Sequence, residues 1–201
     1  MIRVLLADDE HLVRQALAGL LGLEDDLEIV AEAASGAEAV AAARLHLPDV
    51  AVLDLQMPGL DGIDTARAIS AEAPDCRCLI VTSHGLPGYL KSALAAGVRG
   101  FLPKTASAAT LSQVIRSVAA GERYVDPQLA AEAMSAGDSP LSAREADVLA
   151  LADAGAPVEE IAERIHLSAG TVRNYLSNAV GKLGATNRHE AVRIARSKGW
   201  I

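Results

Sequence analysis

The sequence predicts an α/β domain, a doubly wound five-stranded parallel sheet, followed by a small all-α domain built on a helix-turn-helix. Three observations predict this arrangement. Short apolar runs alternate with amphipathic stretches through the first 120 residues. Several of those runs stop abruptly at a polar residue, at the sheet edge where open parallel sheets carry their chemistry. Beyond residue 140 the apolar positions fall only at helical spacing, with a three-residue turn between two of the segments.

The first strand, residues 2–7, is cut off by Asp8-Asp9-Glu10. Residues 11–21 carry Leu12, Ala16, Leu20 and Leu21 as a helical apolar stripe. Residues 28–33 form the second strand, and Ser35 opens a helix with Glu38 at capping-box spacing. Val50-Ala51-Val52-Leu53 is an unbroken apolar run, which reads as a strand buried on both faces, and Asp54 stands at its end. Met57-Pro58-Gly59 blocks a helix there, so the next one covers 63–73 and stops at Pro74. Cys78-Leu79-Ile80-Val81 leads to Thr82, and a loop with Pro87 and Gly88 feeds a helix ending at Gly97. The fifth strand, from Gly100 to Pro103, leads to Lys104, and a helix over 108–120 ends at Gly121. Parallel strands joined by helices require right-handed crossovers.

Residues 121–139 read as a linker. Asp126 caps and Pro127 begins a short helix reaching to 136, and Gly137-Asp138-Ser139-Pro140 is the flexible stretch. The domain organisation is therefore 1–120, a linker over 121–139, and 140–201. In the last part Ser142 caps a helix with Glu145 at the reciprocal position and Ala146, Leu149 and Ala150 on its buried side. Gly155-Ala156-Pro157 ends it. A short helix over 158–165, the turn His166-Leu167-Ser168, and a helix over 169–183 follow, with Val172, Leu176, Val180 and Leu183 inward.

Hydrophobic residues make up 51% of the 201 but aromatics only 2%, so the cores must be built from Leu, Val, Ile and Ala. No apolar run approaches the roughly twenty residues needed to cross a bilayer, and no signal-peptide pattern is present, so a soluble cytoplasmic protein is expected. Cys76 and Cys78, separated by one residue, are poorly placed for a mutual disulfide and read as buried reduced thiols. None of the five histidines has ligand spacing. Residues 1–139 hold 19 acids and 10 bases, net −9, whereas 140–201 hold 7 acids and 8 bases, net +1. The tail's charge permits nucleic-acid binding without proving it.

The strand ends carry the chemistry. Asp54 alone could be a nucleophile, a metal ligand or a helix cap, and the Pro-Gly pair that follows weakens the cap. If the first and third strands are central and parallel, Asp8, Asp9 and Asp54 converge, and such like charges are tolerated mainly around a hard divalent cation, Mg²⁺ in a cell. Thr82 and Lys104 then offer a phosphoryl oxygen a hydroxyl and a counter-charge.

In this set of residues the chain resembles the receiver domain of two-component response regulators, which is flavodoxin-like. The resemblance implies that Asp8 and Asp9 are the acidic pair, Asp54 the phospho-acceptor, Thr82 the switch hydroxyl, Phe101 the switch aromatic and Lys104 the family's lysine. It also implies Mg²⁺ held by Asp8, Asp9, Asp54 and the Gln56 backbone carbonyl, with a sensor histidine kinase as phosphoryl donor. Pro103 precedes Lys104 where many receivers carry proline after the lysine.

On the outer face of the helix over 169–183 lie Arg173, Asn174 and Ser177, with Thr171 near its amino end; Arg and Asn are suited to guanine and adenine edges. Through Leu141-Ser142-Ala143-Arg144-Glu145, Glu160-Ile161-Ala162, Leu167-Ser168, Thr171-Val172-Arg173, Lys182-Leu183-Gly184 and Asn187-Arg188, the tail resembles the four-helix DNA-binding domain of NarL/LuxR-type regulators. That resemblance implies DNA contact by Thr171, Arg173, Asn174, Ser177 and Lys182, and a dimer contact from the helix after Arg188. Family members often carry a base where Ser177 stands, so a weak monomeric complex with a shallow salt dependence is expected. Trp200 is expected to pack on the last helix.

The implied protein is a DNA-binding response regulator, not an enzyme beyond its own phosphorylation. Phosphorylation at Asp54 would favour a homodimer that places two tails on promoter half-sites about one helical turn apart. Relatives either dimerise through their first and fifth helices or release an inhibited DNA-binding domain, and the sequence leaves both open. Two rivals are a phosphorylation-independent regulator that uses the receiver as a dimerisation module, and a haloacid-dehalogenase-like phosphotransferase. The latter would want an acid where Gln56 stands.

Overall fold

The structure is a computed structural model that describes residues 1–83, 87–135, 139–153 and 155–201. The chain divides into two compact units: of the described residues, 1–83 and 90–130 group in the first, and 87–89 and 131–201 in the second.

The first unit alternates β1 (Ile2–Ala7), α1 (His11–Leu21), β2 (Leu27–Ala33), α2 (Gly36–His46), β3 (Val50–Asp54), α3 (Gly62–Glu72), β4 (Arg77–Thr82), α4 (Pro87–Ala95), β5 (Gly100–Pro103) and α5 (Ala108–Ala119). The strands are parallel in the order β2-β1-β3-β4-β5 and then a sixth strand, β6 (Tyr124–Val125). In register, Leu6 lies against Val52, Val52 against Leu79 and Val81 against Leu102, so alternate residues of each strand share a face. That face is covered by Leu21 of α1 and Leu111, Val114, Ile115 and Val118 of α5. Every residue of β3 is buried, as an apolar run covered on both sides requires.

The expected five-stranded sheet therefore gains a strand. Tyr124 N donates to Arg99 O at 2.9 Å and Asp126 N to Phe101 O at 3.1 Å, extending the ladder past β5. Two residues are too few to show a period of two, which is why the sequence reads this stretch as linker. A helix α6 (Pro127–Ser135) follows, with the Asp126 carboxylate accepting from Gln128 N and Leu129 N at 3.0 and 3.2 Å. The expected end of this helix at Ala136 and the expected flexibility of Gly137 and Asp138 lie outside the described residues.

Helix α1 corrects a second expectation. Of Leu12, Ala16, Leu20 and Leu21, only Leu21 is buried; Leu12 is 81% and Leu20 46% exposed, and Ala16 is exposed. The sheet side of α1 is instead formed by Leu17 and Ala18 with Leu21. A helix with apolar residues on more than one face does not declare which of them meets the sheet. Cys76 and Cys78 are free and buried.

The second unit contains α7 (Ala143–Asp153), α8 (Val158–Arg164), α9 (Ala169–Lys182) and α10 (Arg188–Lys198). Side chains cap three of these helices: Ser142 and Glu145 reciprocally on α7, Ser168 on Thr171 N at 3.1 Å for α9, and Asn187 on Glu190 N at 2.9 Å for α10. The buried side of α7 is Val148, Leu149 and Ala152, so Ala150, which is exposed, and Ala146, only half-buried, do not form it with Leu149 as expected. On α9, Val172, Leu176 and Ala179 are buried, with Val180 and Leu183 partly so. Trp200 packs against the same core, and its backbone N–H donates to Ala195 O at 2.8 Å.

Candidate functional site

At the carboxyl ends of β1, β3, β4 and β5 the first unit opens a cleft of about 250 Å³ lined by Asp9, Glu10, Asp54, Gln56, Thr82, Ser83 and Lys104. Parallel strands in register deliver their last residues to one edge, which is why segments almost 100 positions apart meet. Lys104 N donates to Thr82 O at 2.8 Å and so ties the ends of β4 and β5 together. Asp54 is kept out of a cap role: its Oδ1 accepts from Leu55 N at 2.8 Å, while Asp61 caps α3 through Asp64 N at 2.8 Å.

The acids and the lysine are brought within reach of one another. Lys104 Nζ lies 2.7 Å from Asp8, 3.3 Å from Glu10 and 3.4 Å from Asp54. One carboxylate oxygen from each of Asp8, Asp9 and Asp54 lies within 4.8 Å of the others. Burial pushes the Asp54 carboxyl above its ordinary range, and the Asp8 charge adds to this against the pull of Lys104. Burial opposes the Lys104 ammonium, yet the bond to Asp8 and the charges of Asp54 and Asp8 outweigh it and hold its pKa above the usual lysine value. Three convergent oxygen donors of which two are buried, Asp8 and Asp54, suit a small hard cation such as Mg²⁺. Thr82 and Phe101 are both buried, the aromatic completely. The cleft also includes Ser83 and Glu10, neither of which has a role assigned from sequence; the acidic run Asp8-Asp9-Glu10 is the available signal for the latter.

In the second unit α8 and α9 meet across the turn at His166, whose φ of 56° reverses the chain, and Arg173, Asn174 and Ser177 lie exposed on α9. Thr171 is half-buried, with its hydroxyl 2.9 Å from that of Ser168. Two of the expected contact residues already have protein partners. Arg173 Nη2 lies 2.9 Å from Glu159 Oε1, and Lys182 Nζ lies 2.7 Å from Glu145 Oε2. Spacing marks Glu145 only as the partner of Ser142 and does not mark Glu159 at all, because each ion pair depends on how two helices cross.

Known proteins match both units. The family described as response regulator receiver domain matches residues 4–116, and that described as bacterial regulatory proteins, luxR family, matches 139–195. The transcriptional regulatory protein DesR of Bacillus subtilis is 38% identical over 201 residues, covering all of both chains. The transcriptional regulatory protein UhpA of Escherichia coli is also 38% identical over 201 residues with full coverage of both. Among solved structures, the response regulator ChrA of a heme-sensing two-component system is 34% identical, has a TM-score of 0.60 and covers 100% of this chain and 98% of its own. With both domain types in order and relatives matched end to end, the chain belongs to the NarL/LuxR-type response regulators, transcription regulators that join a receiver domain to a LuxR-type helix-turn-helix domain.

Proposed function

We propose that this regulator is switched by phosphorylation of Asp54 and acts as a homodimer on promoter DNA. The domain division that goes with it is a receiver over 1–120, a connecting segment over 121–139, and a DNA-binding domain over 140–201. The observation that carries the reading is the convergence of Asp8, Asp9, Asp54 and Lys104 in one cleft of a chain that ends in a helix-turn-helix.

In this reading an Asp54 carboxylate oxygen attacks the phosphorus presented by a sensor histidine kinase, forming the O–P bond as the bond to the donor breaks. Asp8, Asp9, Asp54 and the Gln56 carbonyl would hold Mg²⁺, which when bound would neutralise phosphoryl charge. Lys104, already 3.4 Å from Asp54, gives the acyl phosphate its counter-charge, and the Thr82 hydroxyl donates a hydrogen bond to it. Phe101, fully buried on the neighbouring strand, is the aromatic that responds.

Dimerisation is supported by α1, whose exposed Leu12, Ala16, Gly19 and Leu20 lie on one face. Thr171, Arg173, Asn174 and Ser177 on α9 meet the major groove, and Lys182, partly neutralised by Glu145, stands at the far end. The test compares wild type and Asp54→Asn after incubation with a small-molecule phosphodonor and Mg²⁺. Acid-labile phosphate, a shift to dimer and tighter duplex binding are expected in the wild type alone. An Asp54→Asn chain as dimeric and as tightly bound as the phosphorylated wild type ends the proposal.

A further inference from the structure

We infer that Glu159 is a positioning residue for base recognition, holding Arg173 in the geometry that reads a guanine and turning it away from phosphate. The inference rests on the reading of α9 as the helix that enters the major groove. Arg173 is the fifth residue of α9, in the amino-terminal stretch that reaches base edges in a helix-turn-helix. Glu159 is the second residue of α8, and its Oε1 takes one bond, 2.9 Å long, from Arg173 Nη2.

A guanidinium reads guanine through two parallel N–H donors, so one single-oxygen contact leaves most of its fork free for O6 and N7. An arginine has many rotamers, and ordering it on a base costs freedom; a carboxylate carried by the neighbouring helix takes part of that loss beforehand. The same negative charge lies on the helix that crosses the DNA backbone. It therefore penalises any pose in which phosphate competes for Arg173, which is discrimination by repulsion of the wrong partner. Side-chain exposures of 60% for Arg173 and 67% for Glu159 make a structural purpose for the pair weak, since exposed ion pairs hold folds together poorly.

The experiment uses the full-length chain treated with a phosphodonor and a duplex selected from a randomised DNA pool. Affinities are measured for that duplex, for its single guanine replacements and for an unrelated duplex across a salt series. Glu159→Gln is expected to bind the unrelated duplex more tightly, with a salt slope steeper by up to about 0.9, and to lose about fivefold in discrimination at one guanine. Arg173→Ala is expected to abolish discrimination at that same guanine. If Arg173→Ala leaves every guanine preference intact, α9 does not read bases as proposed and both readings fall. If Arg173→Ala removes a preference that Glu159→Gln leaves unchanged, the role of Glu159 alone is overturned.

Discussion

Glu145 is the buried acid among the described residues of the second unit, and three groups meet it: the Ser142 N–H at 2.7 Å, the Lys182 ammonium at 2.7 Å and, reciprocally, the Ser142 hydroxyl. The bond to Lys182, followed by that to Ser142 N–H, holds its carboxyl below the usual range. A depressed carboxyl contributes stability that is complete above its unfolded pKa, about 4.3, and is lost as pH falls through the lower folded value. Acid unfolding of the second unit should therefore steepen below about pH 4, and Glu145→Gln should flatten that limb in a pH series of thermal melts. Glu190, lowered by its bonds to Thr186, keeps a residual slope of the same sign. Lys182→Gln should cost about 1 kcal/mol in a denaturant titration, the lower end for a charged hydrogen bond because the lysine is 43% exposed. Polar residues at strand ends were legible from sequence because each interrupts an apolar run. The partners of Arg173 and Lys182 were not, because a cross-helix pair depends on a packing angle that spacing does not encode.

The element scale shows the same divide. Strands β1, β3, β4 and β5 announce themselves, since the stretch of a strand covered on both faces must be an apolar run. Helix α1 does not, since its outer leucines satisfy helical spacing as well as its inner ones. One glycine joins an element directly to the site. A methyl on Gly62, the first residue of α3, would stand 2.3 Å from Asp54 O, and Gly62 N donates to Leu55 O at 2.9 Å. Backbone cannot yield as a flexible side chain does, so Gly62→Ala should cost about 1–3 kcal/mol in unfolding free energy. It should also slow phosphate incorporation at Asp54, because the displaced strand end carries the proposed nucleophile. Normal stability and labelling kinetics would show that α3 can back away freely.

For the whole molecule, the exposed leucines of α1 and the modest charge of the tail act together. A tail of net charge +1 gives each copy little counter-ion release, so the proposed dimer would draw its affinity from joining two weak DNA modules. Leu12→Asp with Leu20→Asp should leave phosphorylation at Asp54 unchanged and weaken the dimer by about tenfold or more, as loss of buried leucine surface requires. Sedimentation of the labelled protein measures it, and an unaltered association constant would place the interface elsewhere. The short ladder of Tyr124 and Val125 bears on anyone who wants the first unit alone. Excised at residue 120, it would present the amide and carbonyl row of β5 as a raw border able to recruit other chains. A fragment carried through residue 130 keeps that border sealed and should stay dispersed at concentrations where the shorter one precipitates.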